Sequence, residues 1–440
     1  MINIVIITLQ LFICQNKNTF IMMPANNIQD EHTFGEFGGV NPSISDSATY
    51  TFLAAKTMGD TFEGSSEGCY LYSRHTSPSN LHLSNTLAAM EGTESAHVTG
   101  SGMGAITSVL LQLCGASDHI VSSRTIYGGT WAFMKNFLPK FSINTSFVDI
   151  TSLEAIEAAI TKNTKVIYCE SVSNPLLEIA DIPRLAEIAK RHNVKLVVDN
   201  TFTPLIISAN KLGADITIHS LTKFINGTND TVGGVICAET EFIDNLKSVM
   251  DGAAMLLGPV MDSYRSASIL KNIRTLHVRM QKHSKNAKYI SEQLEQDGIR
   301  VVYPGLKSHK NHETISSLYN PEFGYGGILT IDAGNLETAN KLMEAMQKKG
   351  VGFLAVSLGF YKTLFNAPGA ATSSEIPLEE QQEMGLNDGL IRFSMGLDHD
   401  IKRTYEWIRE CLIEVEILTS LYDSMNLYEL EVSQNEPILN

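Results

Sequence analysis

The chain runs to 440 residues, long enough for two domains or for one large α/β domain with appendages. At 43% hydrophobic and 18% charged it can bury a sizeable core, which excludes disordered, fibrous and coiled-coil classes. Lys and Arg total 33 against 48 Asp and Glu, a formal net charge of -15 that repels nucleic acid and anionic membranes, so any anion must be held locally. The first apolar run, Ile2 to Cys14, falls short of the about 20 residues a membrane helix needs, and its basic residue, Lys17, follows it instead of preceding it. Residues 1–22 are therefore expected to be an apolar extension with no assigned role, and the protein to be cytoplasmic. Residues 23–76 show no clear period but hold the Ser, Gly and aromatic clusters of an arm that lies on another surface.

From Ala96 to about Ala238, short β-branched runs alternate with helical patterns: His119-Ile-Val-Ser, Val166 to Glu170, Lys195 to Asp199, Asp215 to Ser220 and Gly233 to Ala238. Such alternation predicts βαβ units and a mainly parallel sheet, with ligands at the carboxyl ends of its strands. The unbroken apolar stretches Leu196-Val-Val and Ile216-Thr-Ile fit strands buried on both faces. Beyond Gly258 come long helical stretches, Met261 to Thr275 and His277 to Gln296, a Pro304-Gly305 break and a second mixed region. Asp400 is expected to cap a last helix whose apolar positions Ile401, Tyr405, Ile408, Leu412 and Val415 share one face. The expected division is a large domain at 77–262, a smaller C-terminal α/β domain at 263–422 and an acidic tail at 423–440.

The six cysteines are scattered, with no Cys-x-x-Cys pair, and the twelve histidines show no His-Glu-x-x-His. Reduced, mostly buried thiols and no metal site are expected, leaving an organic cofactor or none.

Asp199 ends one predicted strand, and Lys223 follows the next in Ser220-Leu-Thr-Lys. A lysine there can form a Schiff base with a carbonyl, while a carboxylate opposite can keep a pyridine nitrogen protonated, which is the protein's share of pyridoxal-phosphate chemistry. Each residue alone has a plainer reading, as a surface charge or a helix cap. Gly100-Ser-Gly-Met-Gly-Ala lies between a strand-like and a helix-like run, where backbone N–H groups can approach a phosphate. It also matches Gly-x-Gly-x-x-Ala, so a nucleotide-dependent oxidoreductase is the remote alternative, although Arg124 stands where that fingerprint wants an acid. Tight helix-strand packing is a third reading of the glycines.

The order of motifs is more specific than its parts: Tyr72-Ser-Arg74, the glycine loop, Tyr127-Gly-Gly-Thr, Glu170 to Asn174-Pro175, Val198-Asp199-Asn-Thr, His219 to Lys223, Ser357-Leu-Gly and Arg392. In that order the sequence resembles the Cys/Met-metabolism, or trans-sulfuration, family of pyridoxal-phosphate enzymes from about His32 to about Trp407. The resemblance implies a pyridoxal-phosphate-dependent transferase fold of the aspartate aminotransferase type and a homotetramer, a dimer of dimers with shared active sites. It further implies that Lys223 carries the cofactor, Asp199 pairs with its ring nitrogen, Tyr127 stacks on its ring and acts as general acid, and Asn174 lies near its phenolic oxygen. Gly102, Met103, Ser220 and Thr222 would hold the phosphate, joined by Tyr72 and Arg74 from a neighbouring subunit. Ser357 and Arg392 would take the carboxylate of a sulfur amino acid.

Two positions bear on substrate, and a third departure from the family pattern bears on a turn instead of the chemistry. Val356 stands where cystathionine-using members of the family carry Glu, which favours an uncharged thioether. Gly129 stands where the bacterial and protozoan methionine-cleaving members carry Cys, is shared by the plant-like ones, and is expected to enlarge the site. Ser77-Pro78-Ser79 replaces a common Asn-Pro-Thr and is expected to alter a turn. The implied reaction is α,γ-elimination of L-methionine to methanethiol, ammonia and 2-oxobutanoate. Cystathionine γ-lyase, cystathionine γ-synthase and O-acetylhomoserine sulfhydrylase activities are the alternatives.

Overall fold

The computed structural model describes residues 23–31, 35, 38–62, 66, 68–371 and 373–418, so the apolar extension and the acidic tail lie outside the described residues. A seven-stranded sheet dominates: β1 (Ser95–Thr99), β2 (His119–Ser123), β3 (Asn144–Val148), β4 (Thr164–Glu170), β5 (Lys195–Asp199), β6 (Ile216–Ser220) and β7 (Gly234–Ala238), in the order β1-β7-β6-β5-β4-β2-β3. Strands β3, β2, β4, β5 and β6 run parallel, and β7 alone is antiparallel to its two neighbours. Successive side chains enter two separate cores: Val166 and Tyr168 of β4 pack on one face, Ile167 and Cys169 on the other. That two-sided burial is why these strands read as unbroken apolar runs. Strand β3 escaped the sequence reading because it is an edge strand, half-buried and partly polar, with no such run.

The helix Pro78–Glu91 begins at Ser77, whose hydroxyl accepts the Asn80 N–H at 3.2 Å, and Pro78 fills a first-turn position where a missing N–H has no cost. The Ser-Pro-Ser departure therefore builds an ordinary helix start. The helix Pro24–Asp30 lies against it through the buried Ile28 and the bond from Asn27 Nδ2 to the Ala89 carbonyl at 3.0 Å. The first part of the arm thus rests on its own chain.

The second sheet holds β8 (Val301–Val302), β9 (Ile328–Asp332), β10 (Gly352–Leu354), β11 (Thr363–Asn366) and β12 (Leu390–Ser394), in the order β10-β11-β12-β9-β8. Its core is closed by the helices Leu336–Lys349 and Ile401–Glu414. Asp400 caps the latter by accepting the Arg403 N–H, and Tyr405, Ile408 and Leu412 are buried as the spacing predicts. The strand ends of the first sheet meet β12 of the second where Arg392 reaches Asn174. Among the described residues, no helix is long and apolar enough to cross a membrane.

Candidate active site

Parallel register puts the ends of β4, β5 and β6 side by side, with Glu170 opposite Asp199 and Asp199 opposite Ile218. A cleft opens at this edge, as the rule for parallel sheets requires. Its walls include Gly102, Met103 and Tyr127, the strand-end residues Glu170, Asp199 and Ser220, then Thr222 and Lys223, with Asn174, Val356 and Arg392 opposite.

Lys223 Nζ donates to Ser357 Oγ at 3.3 Å, and no carboxylate pairs with it among the described residues. Burial, reinforced by the Arg392 charge, lowers its amine to about 8. Asp199 is 8% exposed and accepts the Thr201 N–H on Oδ1 at 3.0 Å; burial pushes its carboxyl up. Arg392 is 2% exposed, donating through Nη1 to Asn174 Oδ1 at 2.8 Å and through Nη2 to the Ser357 carbonyl at 3.4 Å. Its Nε is buried without a partner, a donor that an incoming carboxylate would satisfy. Ser357 does not stand free: its hydroxyl also donates to Asn229 Oδ1 at 2.8 Å.

The helix Gly102–Leu113 starts at the cleft, with Ser101 Oγ accepting the Gly104 N–H at 2.9 Å. A Cβ on Gly102 would lie 2.9 Å from Ser220 Cβ, so only glycine lets this helix end close on the strand end. The positive helix terminus and the Ser220 and Thr222 hydroxyls together make a cradle for a phosphate. The dinucleotide alternative fails on topology. Strand β1 pairs with β7 and not with β2, and Arg124 after β2 is tied to Asp149 at 2.9 Å.

Tyr127 is 41% exposed, and burial of its ring edge plus the charges of Glu375 and Glu170 raises its phenol. The phenol of the single chain therefore stays protonated at neutral pH. A Cβ on Gly129 would lie 2.6 Å from Tyr127 Cε1. The volume left by this glycine is filled by the tyrosine ring, which corrects the expectation of an enlarged site. Tyr72 and Arg74 are absent from the cleft of their own chain; Arg74 Nη1 donates to the Met255 carbonyl at 3.0 Å and its guanidinium sits 5.6 Å from the Tyr72 ring.

One cleft residue went unassigned in the sequence. Glu170 is 7% exposed and held at about 8 by burial and by Asp199 beside it. The strand-end argument that singles out Asp199 applies equally to Glu170, which ends the adjacent strand in register.

These residues fit pyridoxal phosphate: a partly buried amine with no carboxylate partner among the described residues, a buried carboxylate whose cost a ring N–H⁺ would offset, and an anion cradle at one end. Fold and cleft together define an enzyme of the pyridoxal-phosphate-dependent α/β class. The family model for Cys/Met metabolism PLP-dependent enzymes matches residues 24–403, and the chain belongs to that family, with pyridoxal phosphate as its cofactor. The chain is 44% identical over 371 residues to methionine γ-lyase of Arabidopsis thaliana, covering 83% of this chain and 84% of that protein. Cystathionine γ-lyase of Bacillus subtilis is 37% identical over 333 residues, covering 75% and 85%. Among solved structures, cystathionine γ-lyase of Lactobacillus plantarum with L-serine superposes at TM-score 0.78 and 27% identity, covering 88% of this chain and 100% of that one. A Campylobacter jejuni protein assigned as an O-acetylhomoserine (thiol)-lyase and carrying N'-pyridoxyl-lysine-5'-monophosphate matches at TM-score 0.82 and 27% identity, covering 88% and 99%.

Proposed function

We propose that this enzyme eliminates the γ-substituent of L-methionine, consuming one water and releasing methanethiol, ammonia and 2-oxobutanoate. The observation that carries the reading is the wall of the cleft at Val356, an apolar side chain where a distal ammonium would need an acid. The similarity to the Arabidopsis methionine γ-lyase supports it.

When bound, pyridoxal phosphate supplies a protonated ring that stabilises negative charge at the substrate α- and β-carbons. Asp199 accepts the ring N–H, and the Gly102 and Met103 N–H groups with the Ser220 and Thr222 hydroxyls hold the phosphate. Asn174 keeps its side-chain N–H groups for the ring oxygen, because Arg392 already occupies its Oδ1. The Nε and Nη2 edge of Arg392 takes the substrate carboxylate, with Ser357 beside it. Lys223 Nζ, held at about 8, has a free-base fraction at neutral pH and takes the Cα proton. Tyr127 Oη gives its proton to the departing γ-sulfur, the raised phenol remaining protonated at neutral pH until that step.

The working unit in this reading is a cytoplasmic homotetramer, a dimer of dimers in which Tyr72 and Arg74 of the partner subunit complete each phosphate site. Residues 77–262 form the cofactor domain and 263–422 the smaller one. The reaction is tested by quantifying all three products from L-methionine with the holoenzyme. Equimolar release is the expected result; absence of 2-oxobutanoate would overturn the proposal.

A further inference from the structure

Glu170 takes none of the roles above, yet its carboxylate joins two groups that do. Its Oε1 accepts the backbone N–H of Tyr127 at 2.8 Å, and its Oε2 accepts that of Asn174 at 2.8 Å. The first donor opens the short helix Gly128–Ala132, where no side-chain cap is present, and the second lies in the loop after β4. A carboxyl group offers an oxygen to each of two diverging N–H groups even when protonated, since its hydroxyl oxygen keeps a lone pair, whereas an amide of the same length has one acceptor and one donor. Keeping a second buried acid next to Asp199 works against stability, and an apolar side chain would relieve it. The site tolerates the cost and gains a fixed geometry. From Asn174 the chain of bonds continues through Oδ1 to Arg392 and from there to the Ser357 carbonyl.

We infer that Glu170 is a positioning residue that holds Tyr127 and the Asn174–Arg392 pair in one registry about the cofactor. The phenol at the γ-sulfur and the guanidinium at the carboxylate are thereby kept at a set separation. This rests on the roles assigned to Tyr127 and Arg392 in the proposed reaction.

The test is Glu170→Gln, which keeps size and burial but can accept from only one of the two N–H groups. Misplacing reacting groups by about 1 Å lowers rates up to about a hundredfold, so kcat for L-methionine is expected to fall about ten- to a hundredfold with KM changed less. In a Tyr127→Phe background the same substitution is expected to cost less, because the phenol is already gone and only the displacement of the Asn174–Arg392 pair remains. A readout independent of turnover is the visible circular dichroism of the bound cofactor, expected to weaken at unchanged absorbance as the Tyr127 ring loses its fixed pose. Equal losses in both tyrosine backgrounds, or an unaltered dichroism, would overturn the inference. Should Glu170→Gln fail to fold, Glu170→Asp decides, since it keeps the carboxyl group but is one carbon too short to serve both donors. The dichroism needs no substrate, so a protein inert toward methionine would remove the proposed reaction while leaving the role of Glu170 open to the same comparison.

Discussion

Lys223 shows how one environment serves both binding and catalysis. An amine held at about 8, instead of its ordinary 10.5, is a cation that the folded apoprotein keeps at a cost. Below pH 8 both folded and unfolded chains carry the proton and the cost is complete. Between pH 8 and 10.5 the unfolded chain binds more protons, so stability rises with pH, and above 10.5 the cost has vanished. Apoprotein carrying Lys223→Met should therefore be more stable than the wild type below pH 8, by on the order of 3 kcal/mol. The gap should close as pH rises toward 10.5; urea unfolding across that range checks it, and a pH-independent gap would contradict the assigned burial. Lys223 and Asp199 were legible because strand-end position and residue type coincide at each. Glu170 meets the same criterion, but its partners are the backbone N–H groups of Tyr127 and Asn174, and no residue pattern announces such partners. The acidic surroundings of Tyr127 were equally hidden, since Glu375 approaches it only in three dimensions.

At the scale of elements, the phosphate cradle depends on how closely a helix end meets a strand end. Gly102→Ala would set a methyl group 2.9 Å from Ser220 Cβ and force the helix Gly102–Leu113 away from β6. Cofactor affinity is expected to drop by about tenfold or more, because the N–H groups and the Ser220 hydroxyl would no longer converge. Titration of the apoprotein with pyridoxal phosphate measures this directly, and unchanged affinity would move the phosphate elsewhere. The parallel strands were readable from sequence because burial on both faces leaves unbroken apolar runs. Strand β3 was not, since an edge strand with half-buried residues lacks that signature.

At the scale of the whole molecule, the cleft of one chain lacks two residues that the family resemblance assigns to it, Tyr72 and Arg74. If a second copy supplies them, mixing inactive Arg74→Ala subunits with inactive Lys223→Ala subunits should restore activity, because a hybrid dimer keeps one site with both residues intact. No recovery under demonstrated subunit exchange would assign the site to a single chain. The fold class was legible over most of the length because motif order constrains topology. The expectation of an assembly rests on resemblance alone, since no surface pattern in a sequence states what covers it.

Substrate choice is where the family divides, and Val356 is the residue on which this account stakes its answer. With valine instead of an acid at position 356, that wall forgoes a charge-assisted hydrogen bond to the distal ammonium of cystathionine, worth about 1.5–3 kcal/mol, or about ten- to more than a hundredfold in specificity. The most direct measurement is kcat/KM for 2-oxo-acid formation from L-methionine and from cystathionine with one holoenzyme preparation, alongside sulfide incorporation into O-acetylhomoserine. Methionine should lead; a lead of about tenfold or more for cystathionine or for sulfhydrylation would contradict the account.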